Sequence, residues 1–253
     1  MSGSAYTEAS MPDQPYPKPP IIEAVVEFRV ESAISDQLLE TVCKKLRDAY
    51  PTQQQLKVQQ FSIEAGENPS LKTTEEFGRK VTNEDGTDIV SLGPRAFSVS
   101  RLAPYKCYED FSKEISAVWD IIYKQTGYRR ITRIGMRYIN RIDVELSDDI
   151  ARYEDFLNLK INIPEKFDIV DHYDLSFQIP LDSHCKARVQ SGVMPPAIIG
   201  YASFSVDIDV YVDENVPQKK PEIFALLETM RRQKNELFES FVTDKARSLF
   251  YAR

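Results

Sequence analysis

Residues 133–141 read Arg-Ile-Gly-Met-Arg-Tyr-Ile-Asn-Arg, within a longer segment, 131–146, that is typical of a β-strand. Successive side chains of a strand point to opposite faces of the sheet. The apolar side chains therefore fall on one face, namely Ile134, Met136, Tyr138 and Ile142. Arg133, Arg137 and Arg141 fall on the other, each about 13 Å from the next. The segment predicts a long strand with one buried face and one row of arginines.

Other predicted strands also divide into an apolar face and a charged face. The strands at 21–31, 184–191 and 197–213 carry charged side chains beside apolar ones. The candidate ligand- or partner-binding residues are these charged side chains and Asn140, which together are Glu27, Arg29, Arg133, Arg137, Asn140, Arg141, Lys186, Arg188, Asp207 and Asp209. We predict no catalytic residue and no metal ligand among them.

Two interpretations of this charged face are open. The first is cross-strand ion pairing on a solvated sheet face, where each pair contributes only a few tenths of a kcal/mol. The second is a concave polar face or tunnel that receives a ligand or a segment of a partner. Arginine suits phosphate and carboxylate ligands because its guanidinium group binds them through two parallel hydrogen bonds.

The remaining sequence predicts strands and helices in the order β-α-β-β-β-β-α and then β-α-β-β-β-α. The helix at 108–126 has apolar residues at helical spacing and ends at Gly127. We expect an α+β fold of two similar halves, arisen by duplication, with an antiparallel sheet and helices packed on one of its faces. The halves are 19–127 and 128–253 within one globular unit, preceded by a disordered, proline-rich tail at 1–18.

Composition excludes several classes of protein. The 253 residues carry a net charge of −7, which disfavours non-specific binding to nucleic acid. Two histidines and three cysteines leave little for metal chemistry or disulfides, so we predict no cofactor and a cytoplasmic location. The sequence contains no apolar run of membrane-spanning length and no phosphate-binding or nucleophile motif.

Three segments together carry a resemblance to a known family. They are Pro-Pro-Ile-Ile-Glu-Ala-Val-Val-Glu-Phe-Arg at 19–29, the nine residues at 133–141, and the segment at 237–244 near the C-terminus. They resemble an uncharacterised, sporadically distributed bacterial family of about this length, over nearly the whole chain from Pro19. The resemblance implies a place in a mobile or accessory locus, and it transfers no catalytic residue.

Two functions follow as hypotheses. We expect a non-catalytic binding or regulatory accessory protein that contacts another protein through the charged face and can form a homodimer. The alternative is a metal-dependent enzyme that binds phosphate or nucleotide, with the three arginines as anion contacts and Asp207 and Asp209 as metal ligands. The lack of a catalytic constellation favours binding, and enzymatic activity stays an open question at this point.

Overall fold

A computed structural model describes residues 16–64, 70–146, 151–164, 166, 170–182 and 184–251, of which 57–64 and 70–77 are described by their backbone alone. Its strands are β1 (Ile21–Val30), β2 (Thr52–Glu64), β3 (Ser70–Thr82), β4 (Asp88–Leu92), β5 (Ala96–Leu102), β6 (Ile131–Glu145), β7 (Asp174–Pro180), β8 (Lys186–Met194) and β9 (Tyr201–Val212). Its helices are α1 (Asp36–Leu46), α2 (Tyr108–Thr126), α3 (Lys220–Phe241) and α4 (Asp244–Tyr251). The predicted α+β class is confirmed.

The nine strands form one antiparallel sheet in the order β2-β3-β4-β5-β1-β6-β9-β8-β7. The chain divides into two compact units. We call Glu23–Gly135 with Val212–Lys220 the central unit, and Met1–Ile22, Met136–Tyr211 and Pro221–Arg253 the terminal unit. The predicted halves at 19–127 and 128–253, and their origin by duplication, stay predictions.

The core of the central unit forms between β1, β5 and α2. Phe28 on β1 stacks on Phe97 of β5 with ring centroids 5.0 Å apart, and it meets the edge of Trp119 on α2 at 4.9 Å. Such aromatic pairs add to the free energy gained by burying their area. Gly127, with φ of 71°, ends α2 as the sequence predicts. One apolar face of β1 and β5 is thus covered by α2.

The terminal unit places α3 and α4 beside its strands. The Nζ of Lys234 on α3 lies 3.9 Å from the centroid of the Tyr138 ring on β6. Thr243 precedes α4 and caps it, because its Oγ1 accepts a hydrogen bond from the Ala246 N–H at 3.2 Å. Of the predicted tail, the structure describes residues 16–18, and Tyr16 packs edge-on against Phe250. No helix of the described part is long and apolar enough to cross a membrane.

Three predicted elements differ from the structure. The helix expected at 152–158 is a single 3₁₀ turn at Tyr153–Asp155, and the first helix ends at Leu46 instead of near residue 50. The last strand begins at Tyr201 instead of residue 197. Its start is delayed because the Tyr201 N–H donates to the Ile198 carbonyl at 3.3 Å, which closes a turn in which Gly200 has a φ of 86°.

Candidate functional site

The long strand β6 has the two faces that its sequence predicts. Ile134, Met136 and Tyr138 are buried, whereas the side chain of Arg137 is 45% exposed. Asn140 shares the buried face: it is 3% exposed, and its Nδ2 donates to the Val206 carbonyl at 2.9 Å. This predicted binding residue therefore lies in the interior, where it satisfies a backbone carbonyl.

Arg137 is paired with Asp207 of β9. Its Nε donates to Asp207 Oδ1 at 2.8 Å and to Oδ2 at 3.1 Å, and its Nη2 donates to Oδ2 at 2.5 Å. Asp207 is only 8% exposed, and burying a carboxylate at that depth is costly unless it is paired and hydrogen-bonded. The guanidinium group of Arg137 and the carboxylate of Asp207 are thus already hydrogen-bonded to each other.

Arg141 joins β6 to the loop between β8 and β9. Its Nε donates to Asp143 Oδ1 at 2.8 Å, and its Nη2 donates to Ser203 Oγ at 3.1 Å and to the Pro195 carbonyl at 3.2 Å. Ser203 Oγ donates in turn to Asp143 Oδ1 at 2.5 Å. The network fixes where the loop leaves β8 relative to β6.

The loop between β8 and β9 forms an exposed apolar tip, which we define as Pro195–Gly200. Ile198 is 62% exposed and Ile199 is 99% exposed. Besides the bond from Arg141, the tip is held by the Leu146 N–H, which donates to the Gly200 carbonyl at 2.9 Å. The sequence predicts strand from residue 197, because the apolar residues there continue the strand pattern, and it does not predict the tip.

Lys186, Arg188 and Asp209 are the remaining predicted binding residues of the terminal unit. In the register of β8 and β9, Arg188 lies opposite Asp209 and Lys186 lies opposite Tyr211. Side chains directly opposite in an antiparallel pair have Cβ atoms about 5 Å apart, so Arg188 and Asp209 form a cross-strand pair of opposite charge. We call Arg137, Arg141, Asp143, Arg188, Asp207 and Asp209 the charged face.

The central unit contains the other predicted charged residues. Glu27 Oε1 accepts from Arg133 Nη1 at 2.9 Å and from Arg29 Nε at 2.7 Å. Gly135 leaves room for this arrangement, because a Cβ at that position would collide with the Arg133 guanidinium. These residues form a small ion-pair cluster of the kind expected on a solvated sheet face.

Across the described parts of the chain, no three His, Cys, Asp or Glu side chains converge as a metal site would need. Burial raises the pKa of the Cys185 thiol and, chiefly for the same reason, that of Cys43, which keeps both in the unreactive protonated form. His184 lies in the turn before Cys185 with a φ of 62°.

Lys234 of α3 is a buried cation in the terminal unit. Burial, helped by the charge of Arg231, lowers the pKa of Lys234 to about 7, while Glu239 acts in the opposite direction. The Tyr138 ring below the amine favours its charged form. This lysine lies on the helix-covered side of β6, away from the charged face.

No protein-family model matches the chain, and no curated protein matches it in sequence. The family resemblance of the three sequence segments therefore stays a prediction.

Proposed function

We propose that this chain is a non-catalytic accessory protein that binds another protein through its terminal unit. The contact surface consists of the charged face and the apolar tip Pro195–Gly200. The observation that carries the proposal is the exposure of Ile199, at 99%, on a tip that hydrogen bonds hold in place. The cytoplasmic location and the bacterial accessory locus predicted from the sequence belong to the same proposal.

The arrangement has the composition of a protein interface. Protein interfaces combine a few apolar anchors, which become fully buried, with a polar rim that sets orientation. Here Ile198 and Ile199 supply the anchor, and Arg141 connects the tip to the charged face through the Pro195 carbonyl. Holding the tip in place before binding lowers the entropy that a partner must overcome.

A phosphate ligand fits this surface less well. The fork of Arg137 is occupied by Asp207, so a phosphate would have to displace a carboxylate and leave it largely buried without its partner. The same pairing opposes the use of Asp207 as a metal ligand. An apolar tip, in turn, adds nothing to the recognition of a phosphate.

A charge-swapped variant tests the proposal. Arg137→Asp with Asp207→Arg keeps the ion pair and the net charge while it reverses the charge pattern that a partner meets. The matched control is the same swap at the exposed pair of Asp110 and Lys113 on α2. Each protein is tagged, expressed in the native organism and purified, and the co-purified proteins are quantified by mass spectrometry.

We expect a stoichiometric partner with the wild type and with the α2 swap, and loss of that partner with the swap at 137 and 207. Equal capture by all three would overturn the role of the charged face. A raised melting temperature with triphosphate and Mg²⁺ or Mn²⁺ would instead support the enzyme hypothesis. Ligand at a hundredfold excess over Kd stabilises a protein by about 2.7 kcal/mol, which such a screen detects.

A further inference from the structure

Strand β7 lies at the edge of the sheet in the terminal unit. Within the described parts of the chain it pairs with β8 alone. Its three apolar side chains that face the covered side of the sheet are half-buried, namely Leu175, Phe177 and Ile179. Their neighbours on β8 include Ala187 and Val189, which are fully buried. The buried layer of the terminal unit therefore ends at β7 with apolar surface still partly exposed.

The backbone of β7 presents every second residue to this edge. In an antiparallel pair, residues that bond to the neighbouring strand alternate with residues whose N–H and C=O groups point away from it. The Leu181 N–H donates to the Cys185 carbonyl at 2.9 Å, so the odd-numbered residues of β7 bond to β8. The N–H groups of Asp174, Ser176 and Gln178 therefore point outward. Among the described residues, no hydrogen bond from another part of the chain reaches these three groups.

Edge strands that stay unpaired usually carry a feature that opposes pairing. Such features are a charge in the middle of the strand, a proline or a β-bulge. In β7 the charge of Asp174 and the ring of Pro180 lie at the two ends, and the five residues between them are uncharged. The register with β8 continues from Asp174 to Pro180 without a bulge. The edge of β7 therefore favours the addition of a further strand.

The sequence of β7 is complementary to itself in the antiparallel direction. In a pair of β7 strands centred on Phe177, Leu175 lies opposite Ile179 of the other copy. Ser176 likewise lies opposite Gln178, so apolar side chains meet apolar ones and polar side chains meet polar ones. The same register joins outward-pointing groups, because Ser176 and Gln178 each offer an N–H and a C=O to the other copy. All seven residues of β7 are paired in this register.

Charges at the ends of β7 favour the same arrangement. Lys186 of β8 lies beside Pro180 in the register of the two strands. Antiparallel pairing about Phe177 places Asp174 opposite Pro180 of the other copy, and hence near Lys186 of that copy, once at each end. Parallel pairing in register would instead place the two Asp174 carboxylates side by side, which is unfavourable. The edge thus selects a second copy of the chain in antiparallel orientation.

We propose that two copies of this chain join through antiparallel pairing of β7 with β7, centred on Phe177. The contact goes beyond the proposed function, because it uses neither the apolar tip nor the pair of Arg137 and Asp207. It joins the sheets of two terminal units edge to edge about a two-fold axis, with their charged faces on the same side of one continuous sheet. A partner protein then meets two charged faces at once, which raises its apparent affinity.

Paired charge variants test this register. The basic variant carries Ser176→Lys and Gln178→Lys, and the acidic variant carries Ser176→Glu and Gln178→Glu. Both side chains are exposed, so the substitutions remove no packing within one copy. The matched control is Gln53→Lys with Gln55→Lys, at two exposed positions of β2, which is the other edge strand of the sheet. Circular dichroism and thermal melts verify the fold of each variant.

Sedimentation velocity over a concentration series measures the association of the full chain. We expect dimers of the wild type and of the β2 control. In the basic or the acidic variant alone, each residue 176 lies opposite a like charge at residue 178, and we expect a Kd at least about tenfold higher. An equimolar mixture of the two variants should form the dimer again, because every such pair then combines opposite charges.

Amide hydrogen exchange reports on the backbone contact itself. Exchange at the Ser176 and Gln178 amides should slow as the protein concentration rises, whereas the Phe177 amide, which is already bonded to β8, should respond less. A wild type that stays monomeric, a β2 control that loses association, or a mixture of the charge variants that does not associate would overturn this inference. The proposed function would survive that result if the swap at residues 137 and 207 still abolished capture of a different protein.

Discussion

Lys234 shows how one buried amine sets a pH dependence for the whole fold. In the unfolded chain a lysine keeps its proton up to about pH 10.5, whereas in the folded chain the pKa is lowered to about 7. Between these values the unfolded state binds more protons, so the free energy of unfolding rises with pH by up to about 1.4 kcal/mol per pH unit. Below pH 7 both states are protonated, and the destabilisation is at its largest.

We therefore predict that Lys234→Met flattens the stability profile between pH 7 and 10 and raises the free energy of unfolding at pH 6 by about 1–3 kcal/mol. Urea unfolding at a series of pH values measures both effects. Arg232→Met, at an exposed site on the same helix, is the control and should leave the slope unchanged. A steep profile that persists in Lys234→Met would mean that another group causes it.

Two arginines with similar sequence patterns should differ in their contribution to stability. Arg137→Ala leaves the largely buried Asp207 without its fork, and we expect a loss of about 2 kcal/mol in the free energy of unfolding. The side chain of Arg29 is 55% exposed beside Glu27. We therefore expect Arg29→Ala to lower the free energy of unfolding by less than about 0.5 kcal/mol. Chemical denaturation of the two variants measures both free energies of unfolding, and equal losses at the two positions would contradict this account.

At the level of single elements, the sequence predicts most where local signals agree. The helix at 108–126 coincides with α2 because apolar spacing and Gly127 point to the same bounds. The predicted start of β9 is four residues early, because the apolar residues at 197–199 continue the strand pattern although the chain turns at 198–201. Local periodicity does not distinguish a buried strand from an apolar loop that other elements hold in place.

The segment before β1 is attached to the C-terminal helices. The Tyr16 hydroxyl donates to both carboxylate oxygens of Glu239, at 2.9 Å each, and the Lys18 N–H donates to the Phe250 carbonyl at 3.1 Å. Burial, together with Glu239, raises the pKa of the Tyr16 phenol well above its usual range. The phenol therefore stays protonated and remains a hydrogen-bond donor at all physiological pH values.

We predict that Tyr16→Phe lowers the free energy of unfolding by about 1 kcal/mol and speeds hydrogen exchange at the Lys18 amide. The reason is that Glu239, which is buried, loses a donor and keeps the bond from Arg247 Nε. Tyr128→Phe, at an exposed tyrosine, serves as the control. Unchanged exchange at Lys18 would indicate that ring packing alone holds the segment.

At the scale of the whole molecule, the sequence predicts which face of a strand a side chain occupies, but not which residues of other strands it contacts. Alternation in β6 correctly separates the arginines from the apolar side chains, yet the partner of Arg137 lies seventy positions away on β9. Only the strand order of the sheet brings the two together. The tip was missed for a related reason, because its exposure depends on where β6 and its hydrogen bonds place the loop.

The central claim is that the apolar tip meets another protein, and site-specific photo-crosslinking in the native cells tests it most directly. A photoreactive amino acid is placed at position 199 in one variant and at position 163 in another, since both natural residues are exposed isoleucines. We predict a discrete crosslinked product from position 199 and none from position 163. A different protein in that product would identify the partner, whereas a second copy of the chain would mean that the tip serves self-association instead. The absence of a product from position 199, or equal products from both positions, would contradict the account.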